Sequence, residues 1–209
     1  MVKNIIFDFG GVIYDIDHLK TKEAFDVLGL TNFEELYGHA VQTRLFEEFE
    51  IGKISPADFR ETIRKYIPLS TTDIAIDTAW NALLIGFDLQ RLELLYKIKK
   101  HYRLFLLSNT NQIHYQHYMA QLEELKQKHS FLNSFEKLYF SHQIGMRKPD
   151  LIIFNCVLAE NSLLPAETIF IDDYDANIKE ANTVGLKGLH LEPGKDLHDL
   201  FTTDGQLKT

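Results

Sequence analysis

Three apolar runs in this chain end abruptly in polar residues. Ile5-Ile6-Phe7 meets Asp8, Leu104-Phe105-Leu106-Leu107 meets Ser108-Asn109-Thr110, and Ile169-Phe170-Ile171 meets Asp172-Asp173. Unbroken runs of this kind read as strands buried on both faces, which belong in a parallel sheet covered by helices on each side. The first is expected over 2–8, before a turn at Gly10-Gly11. Further strands are expected at 135–140 and 187–191, with helices at 88–101, 112–128, 149–160 and 175–184. That alternation implies a sheet wound on both faces, and ligands of open parallel sheets bind where the strands end.

Between 17 and 87 the texture changes to helical spacing: Phe25 with Leu28, Leu45 with Phe46 and Phe49, Phe59 with Ile63 and Tyr66, Ile76 with Trp80 and Leu83. Ser55-Pro56 and Ser70-Thr71-Thr72-Asp73 carry helix-start signals. About seventy residues of helix, in roughly four helices, therefore interrupt the alternation just after the first strand. The expected domains are a core of 1–16 and 88–209 and an inserted unit of 17–87. Residues 202–209 carry no pattern and are expected to fray.

The chain is 45 % hydrophobic and 25 % charged, an ordinary globular balance. A net charge of −8 without a basic cluster argues against a nucleic-acid partner. No apolar stretch approaches the ~20 residues that span a bilayer, so no membrane partner is expected. Met1 to Phe7 is too short for a secretory signal. The single cysteine, Cys156, suits a reducing cytoplasm. Oligomeric state is not legible.

Each polar terminus has a structural and a chemical reading. Asp8 is a carboxylate nucleophile or a shaper of the glycine turn. Ser108 and Asn109 bind phosphate oxygens or cap a helix. Lys148, in Gly145-Met146-Arg147-Lys148-Pro149, neutralises phosphoryl charge or points into solvent, with Arg147 competing for the same task. Asp172 and Asp173 are the most telling pair. Adjacent carboxylates raise each other's pKa unless a cation sits between them, and Mg²⁺ favours one or two carboxylates plus waters and a substrate phosphate.

With Phe7-Asp8-Phe9-Gly10-Gly11-Val12, Leu107-Ser108-Asn109-Thr110-Asn111, Gly145-Met146-Arg147-Lys148-Pro149 and Phe170-Ile171-Asp172-Asp173 in this order, the chain resembles the haloacid dehalogenase superfamily of aspartate-nucleophile phosphohydrolases. Within it, the motifs are most similar to those of bacterial α-D-glucose-1-phosphate phosphatases. The resemblance implies an α/β fold, a Rossmann-like doubly wound parallel sheet with a helical-bundle cap inserted after the first strand. It also implies a Mg²⁺-dependent phosphatase of a small phosphate ester. Asp8 would attack phosphorus and Ser108, Asn109 and Lys148 would hold its oxygens. Asp8, the Gly10 carbonyl and Asp173 would bind the metal, with Asp172 in support.

One position departs from the superfamily pattern. The usual second aspartate, two residues after the nucleophile, is Gly10 here, as in the glucose-1-phosphate enzymes. Either the leaving hydroxyl is comparatively acidic, as an anomeric one is, or Asp15, Asp17 or His18 supplies the proton. The alternatives to a phosphatase are a 2-haloacid dehalogenase, in which tyrosine usually stands at that position and no metal is needed, and a non-catalytic phosphometabolite-binding module. His114 and His117 share a metal-compatible helical spacing but read as solvated or capping residues. Cys156 and Trp80 read as core, and Arg44, Glu47 and Glu48 as surface charge of the cap.

Overall fold

The structure, a computed structural model, describes residues 1–30 and 44–208. In chain order it starts with β1 (Asn4–Phe7), β2 (Tyr14–Ile16), α1 (His18–Val27), α2 (Leu45–Glu50), α3 (Pro56–Ile63), α4 (Asp73–Asn81) and β3 (Leu84–Phe87). Then follow α5 (Leu89–Ile98), β4 (Arg103–Ser108), α6 (Gln112–Glu124), α7 (Lys128–Ser134), β5 (Lys137–Phe140) and α8 (Ser141–Ile144). The chain closes with α9 (Leu151–Glu160), β6 (Thr168–Asp172), α10 (Asp175–Thr183), β7 (Lys187–His190) and α11 (Leu197–Leu200).

The apolar runs form the middle of a five-stranded parallel sheet, order β5-β4-β1-β6-β7. Strand periodicity sorts their side chains to two faces. Ile5, Phe7, Leu104, Leu106, Ile169 and Ile171 pack under α5, α6 and α7 with Leu95, Ile98, Tyr118, Leu122 and Phe131. Ile6, Phe105, Leu107 and Phe170 pack under α9 and α10 with Phe154, Val157, Ile178 and Ala181. Each fully buried large side chain contributes about 1.5–3 kcal/mol. The doubly wound α/β sheet expected from the alternation is the one that forms. Phe7 pairs with both Leu106 and Ile171, so the central strands end at one level.

Within 17–87, four helices stand among the described residues, α1 to α4, and 31–43 lie outside them. The helices share a core of their own: Phe25, Leu45, Phe49, Phe59, Ile63, Ile76 and Ala79. Ser55 and Thr72 cap α3 and α4 as their sequence signals predict. Arg60 grips Asp77 with two hydrogen bonds of 2.8 and 2.7 Å. Ile113 of α6 joins this cluster, docking the helices onto the sheet domain. No helix among the described residues is long and apolar enough to cross a membrane.

Three features differ from the sequence reading. β2 and β3 form an antiparallel ribbon where the chain leaves the sheet domain and returns; such short strands lack the alternation that marks a strand locally. The helix expected over 112–128 breaks after Glu124, with Lys126 left-handed at φ 55°, and restarts as α7. The tail docks instead of fraying. Phe201 bridges Leu207, Leu207 N donates to Tyr102 Oη at 3.1 Å, and Gly205 lies against the backbone of Lys97 and Ile98.

Candidate active site

Asp8 follows the last residue of β1, and its backbone N donates to the Ile171 carbonyl at 2.8 Å, which sets it beside Asp172 at the end of β6. The turn beyond it folds around Phe9, whose carbonyl accepts from Val12, Ile13 and Tyr14. The Phe9 ring is buried against Tyr14 and Tyr118. Asp8 is therefore held at the mouth of the sheet by a packed turn.

Lys148 reaches the same point from the loop before α9. Its Nζ lies 2.6 Å from Asp8 Oδ1 and 2.7 Å from Asp172 Oδ2, on a side chain 1 % exposed. Burial alone pulls this ammonium down, but the carboxylates of Asp172 and Asp8 outweigh it and raise its pKa. Burial pushes the Asp8 carboxyl up; Lys148 pulls it down, and Asp172 and Asp173 push it up again, to about 7 in all. Asp172 Oδ1 also accepts from Tyr174 N at 2.8 Å, and both its oxygens accept from Asn177 Nδ2.

Carboxylate oxygens of Asp8, Asp172 and Asp173 lie within 4.8 Å of one another. Burial, then Asp172, raises the Asp173 carboxyl, and no other residue among those described donates a hydrogen bond to it. One ammonium thus faces three carboxylates, and the excess negative charge with hard oxygen donors fits a divalent cation such as Mg²⁺. Gly11 makes the approach possible. At φ +75°, a Cβ there would stand 2.0 Å from Asp173 Oδ2. This requirement of Gly11 is legible in the sequence only as half of a glycine turn.

Ser108 ends β4, buried, its Oγ 3.5 Å from Asn109 O. Asn109 is engaged differently from the phosphate contact expected of it. Its Nδ2 donates to Lys148 O at 2.8 Å and its Oδ1 accepts from Lys148 N at 2.9 Å, so the side chain clamps the lysine loop. Asn111 caps α6 through Ile113 N and His114 N. The cation adjacent to Lys148 turns elsewhere: Arg147 Nε bonds Glu50 Oε2 at 2.9 Å, in a helix of the inserted unit.

A cavity of about 600 Å³ runs from Gly10, Ser108 and Asn109 to the inserted helices, walled by Ile16, Phe46, Trp80, Leu83 and Leu84. His114 is buried in its wall and not solvated: Nδ1 lies 2.8 Å from Asn81 Oδ1, the ring stacks on Trp80 at 5.1 Å, and burial pushes it down to about 3. Glu50, unmarked by any sequence signal, also lines the cavity. His117 bonds Gln121 at 3.2 Å. Cys156 is partly exposed on α9, and Arg44 pairs with Glu47 at 2.6 Å. Of the three proton donors considered, Asp15 is paired with Arg91 at 2.6 Å and Asp17 caps α1, whereas His18 lines the cavity.

No protein-family model matches the chain. It is 36 % identical over 203 residues to a D-ribitol-5-phosphate phosphatase of Bacteroides thetaiotaomicron, covering 97 % of this chain and 98 % of that one. A HAD family enzyme from the same organism, solved with magnesium and inorganic phosphate, superposes with a TM-score of 0.86 at 34 % identity, covering 97 % of this chain and 100 % of that one. A HAD-like hydrolase structure from Porphyromonas gingivalis gives a TM-score of 0.79 at 30 % identity, with 93 % of each chain covered. With a relative this similar along nearly its whole length and the strand-end carboxylates in place, the chain belongs to the haloacid dehalogenase (HAD) family of phosphatases and related hydrolases.

Proposed function

We propose that this protein is a Mg²⁺-dependent phosphatase of a small phosphorylated sugar or polyol, working in a reducing compartment such as the cytoplasm. Residues 1–16 and 88–209 carry the chemistry, and 17–87 cap it. The observation that carries this reading is the buried ammonium of Lys148 between Asp8 and Asp172, with Asp173 beside them in no ion pair among the described residues.

Asp8 attacks phosphorus in line and takes the phosphoryl group as an acyl phosphate, dividing one hard displacement into two. Lys148 and the Ser108 hydroxyl hold the phosphoryl oxygens as charge builds on them. Asn109 acts through the Lys148 backbone, fixing where the ammonium stands and completing the phosphate cradle. Asp8, the Gly10 carbonyl and Asp173 would hold Mg²⁺, with Asp172 in support, and the ion would supply Lewis-acid neutralisation of the phosphate. Water then frees phosphate from Asp8.

Two compounds head the substrate list: glucose 1-phosphate, from the motif resemblance, and D-ribitol 5-phosphate, on which the similar bacterial phosphatase acts. The aromatic cavity wall suits stacking against a carbon chain or ring face. Phosphate release from these two and from glucose 6-phosphate, with Mg²⁺ and with chelator, tests the reading. Metal-dependent release from at least one is expected. No release from any of them, with halide release from a 2-haloacid instead, contradicts it.

A further inference from the structure

Breaking a phosphate ester of an ordinary alcohol leaves an alkoxide, which departs readily only as it is protonated, and the water that next attacks must lose a proton. Asp8 is committed as nucleophile, and Lys148 holds its proton between two carboxylates. Gly10 offers nothing, and a Cβ there would meet Ile16 Cδ1 at 3.4 Å, so Ile16 occupies the space beside it.

The titratable residues lining the cavity narrow the choice. Tyr14 donates to Gln121 at 2.5 Å and burial pushes it up to about 12; burial raises Tyr118 as well. His114 is bound to Asn81 and kept neutral by burial. Glu50 is held by Arg147, and Lys22 bonds Asp26 at 3.0 Å. His18 is different. It opens α1 and lines the cavity, it is exposed, and its side chain makes no hydrogen bond or ion pair among the described residues. It lines the same cavity as Gly10, Ser108 and Asn109. The charged groups closest to it along the chain are Asp17, which caps its helix, Asp15, paired with Arg91, and Lys22 one turn on; from other elements, its charge acts on Asp173 and His114.

We infer that His18 is the general acid and base of this site, an inference that rests on the phosphatase reading. As the bond from phosphorus to the alcohol oxygen breaks, the imidazolium of His18 gives its proton to that oxygen while Asp8 bonds phosphorus. The neutral imidazole then takes a proton from water as the hydroxide portion bonds phosphorus. Phosphate and the Asp8 carboxylate leave that step, and His18 is again protonated.

His18→Asn, compared with wild type in first-turnover rapid-quench measurements, tests this. One substrate is the alkyl ester of the pair D-ribitol 5-phosphate and glucose 6-phosphate that wild type turns over faster; the other is p-nitrophenyl phosphate, whose phenolate leaves without a proton. The alkyl rate is expected to fall ~10²–10⁴-fold and the nitrophenolate burst by less than about tenfold, at unchanged thermal midpoint. Added imidazole should restore part of the alkyl rate in His18→Ala. Equal losses on both substrates, or no loss on the alkyl ester, overturn the role of His18 while the phosphatase reading stands. A wild type that hydrolyses glucose 1-phosphate but neither alkyl ester overturns the role of His18 alone, and one that hydrolyses none of the three overturns both.

Discussion

The ammonium of Lys148 lies 2.6 Å from the carboxylate of Asp8, deep enough that only 1 % of the lysine side chain is exposed. A buried charge in this setting is costly to orphan. Lys148→Ala leaves Asp8 and Asp172 facing each other across a low-dielectric gap. It is expected to lose about 3–5 kcal/mol in urea unfolding and ~10²–10³-fold in kcat. Lys148→Arg is not expected to rescue it, because a planar guanidinium needs more room than a point charge seated between two carboxylates. Wild-type stability in Lys148→Ala would contradict the buried pairing.

Gly11 and Asp173 form a steric pair. With φ at +75° and a Cβ position 2.0 Å from Asp173 Oδ2, Gly11→Ala must displace that carboxylate or the turn that carries Asp8. The expected signature is a Mg²⁺ activation curve shifted to at least tenfold higher concentration, with a modest loss of thermal stability. An unchanged curve would mean that Asp173 takes no part in binding the ion.

His114 sets an acid limit on stability. Folding holds it neutral, pushed by burial from 6.5 to about 3, so the unfolded chain binds more protons between those values. Its contribution is therefore present in full above pH 6.5 and is lost as pH falls towards 3. Asp8 works in the opposite sense, since a carboxyl raised from 3.8 to about 7 destabilises the fold as pH rises through that window. Comparing wild type with His114→Gln isolates the first effect. Urea midpoints at pH 7.5, 6 and 5 should fall less steeply in the variant, and parallel curves would contradict the assignment.

The sheet was legible because its strands are buried on both faces, so their composition alone marks them, and the polar residues at their ends announce where a site can form. Residues placed by tertiary contact were less so. Nothing in Ser108-Asn109 says that the amide of Asn109 turns to the Lys148 backbone, since the partner arrives from a distant loop. β2 and β3 are too short to show a period, and Glu50 owes its place at the cavity to packing of the inserted helices.

The C-terminal tail makes the same point in energetic form. Residues 202–208 look patternless, yet Gly205 sits where a Cβ would meet the Lys97 backbone at 2.5 Å. Gly205→Ala is expected to cost about 1–3 kcal/mol in urea unfolding and to expose the tail to proteolysis. A variant as stable and as resistant as wild type would mean that the tail is not docked.

Asp8 as the residue that carries the phosphoryl group is the centre of this account. The direct measurement is rapid acid quench of the Mg²⁺-loaded protein with ³²P-labelled acetyl phosphate, followed by peptide mapping. Label is expected on the peptide containing Asp8, labile to base and absent from Asp8→Asn. Phosphate release with no labelled protein at any time, or label retained in Asp8→Asn, would contradict it.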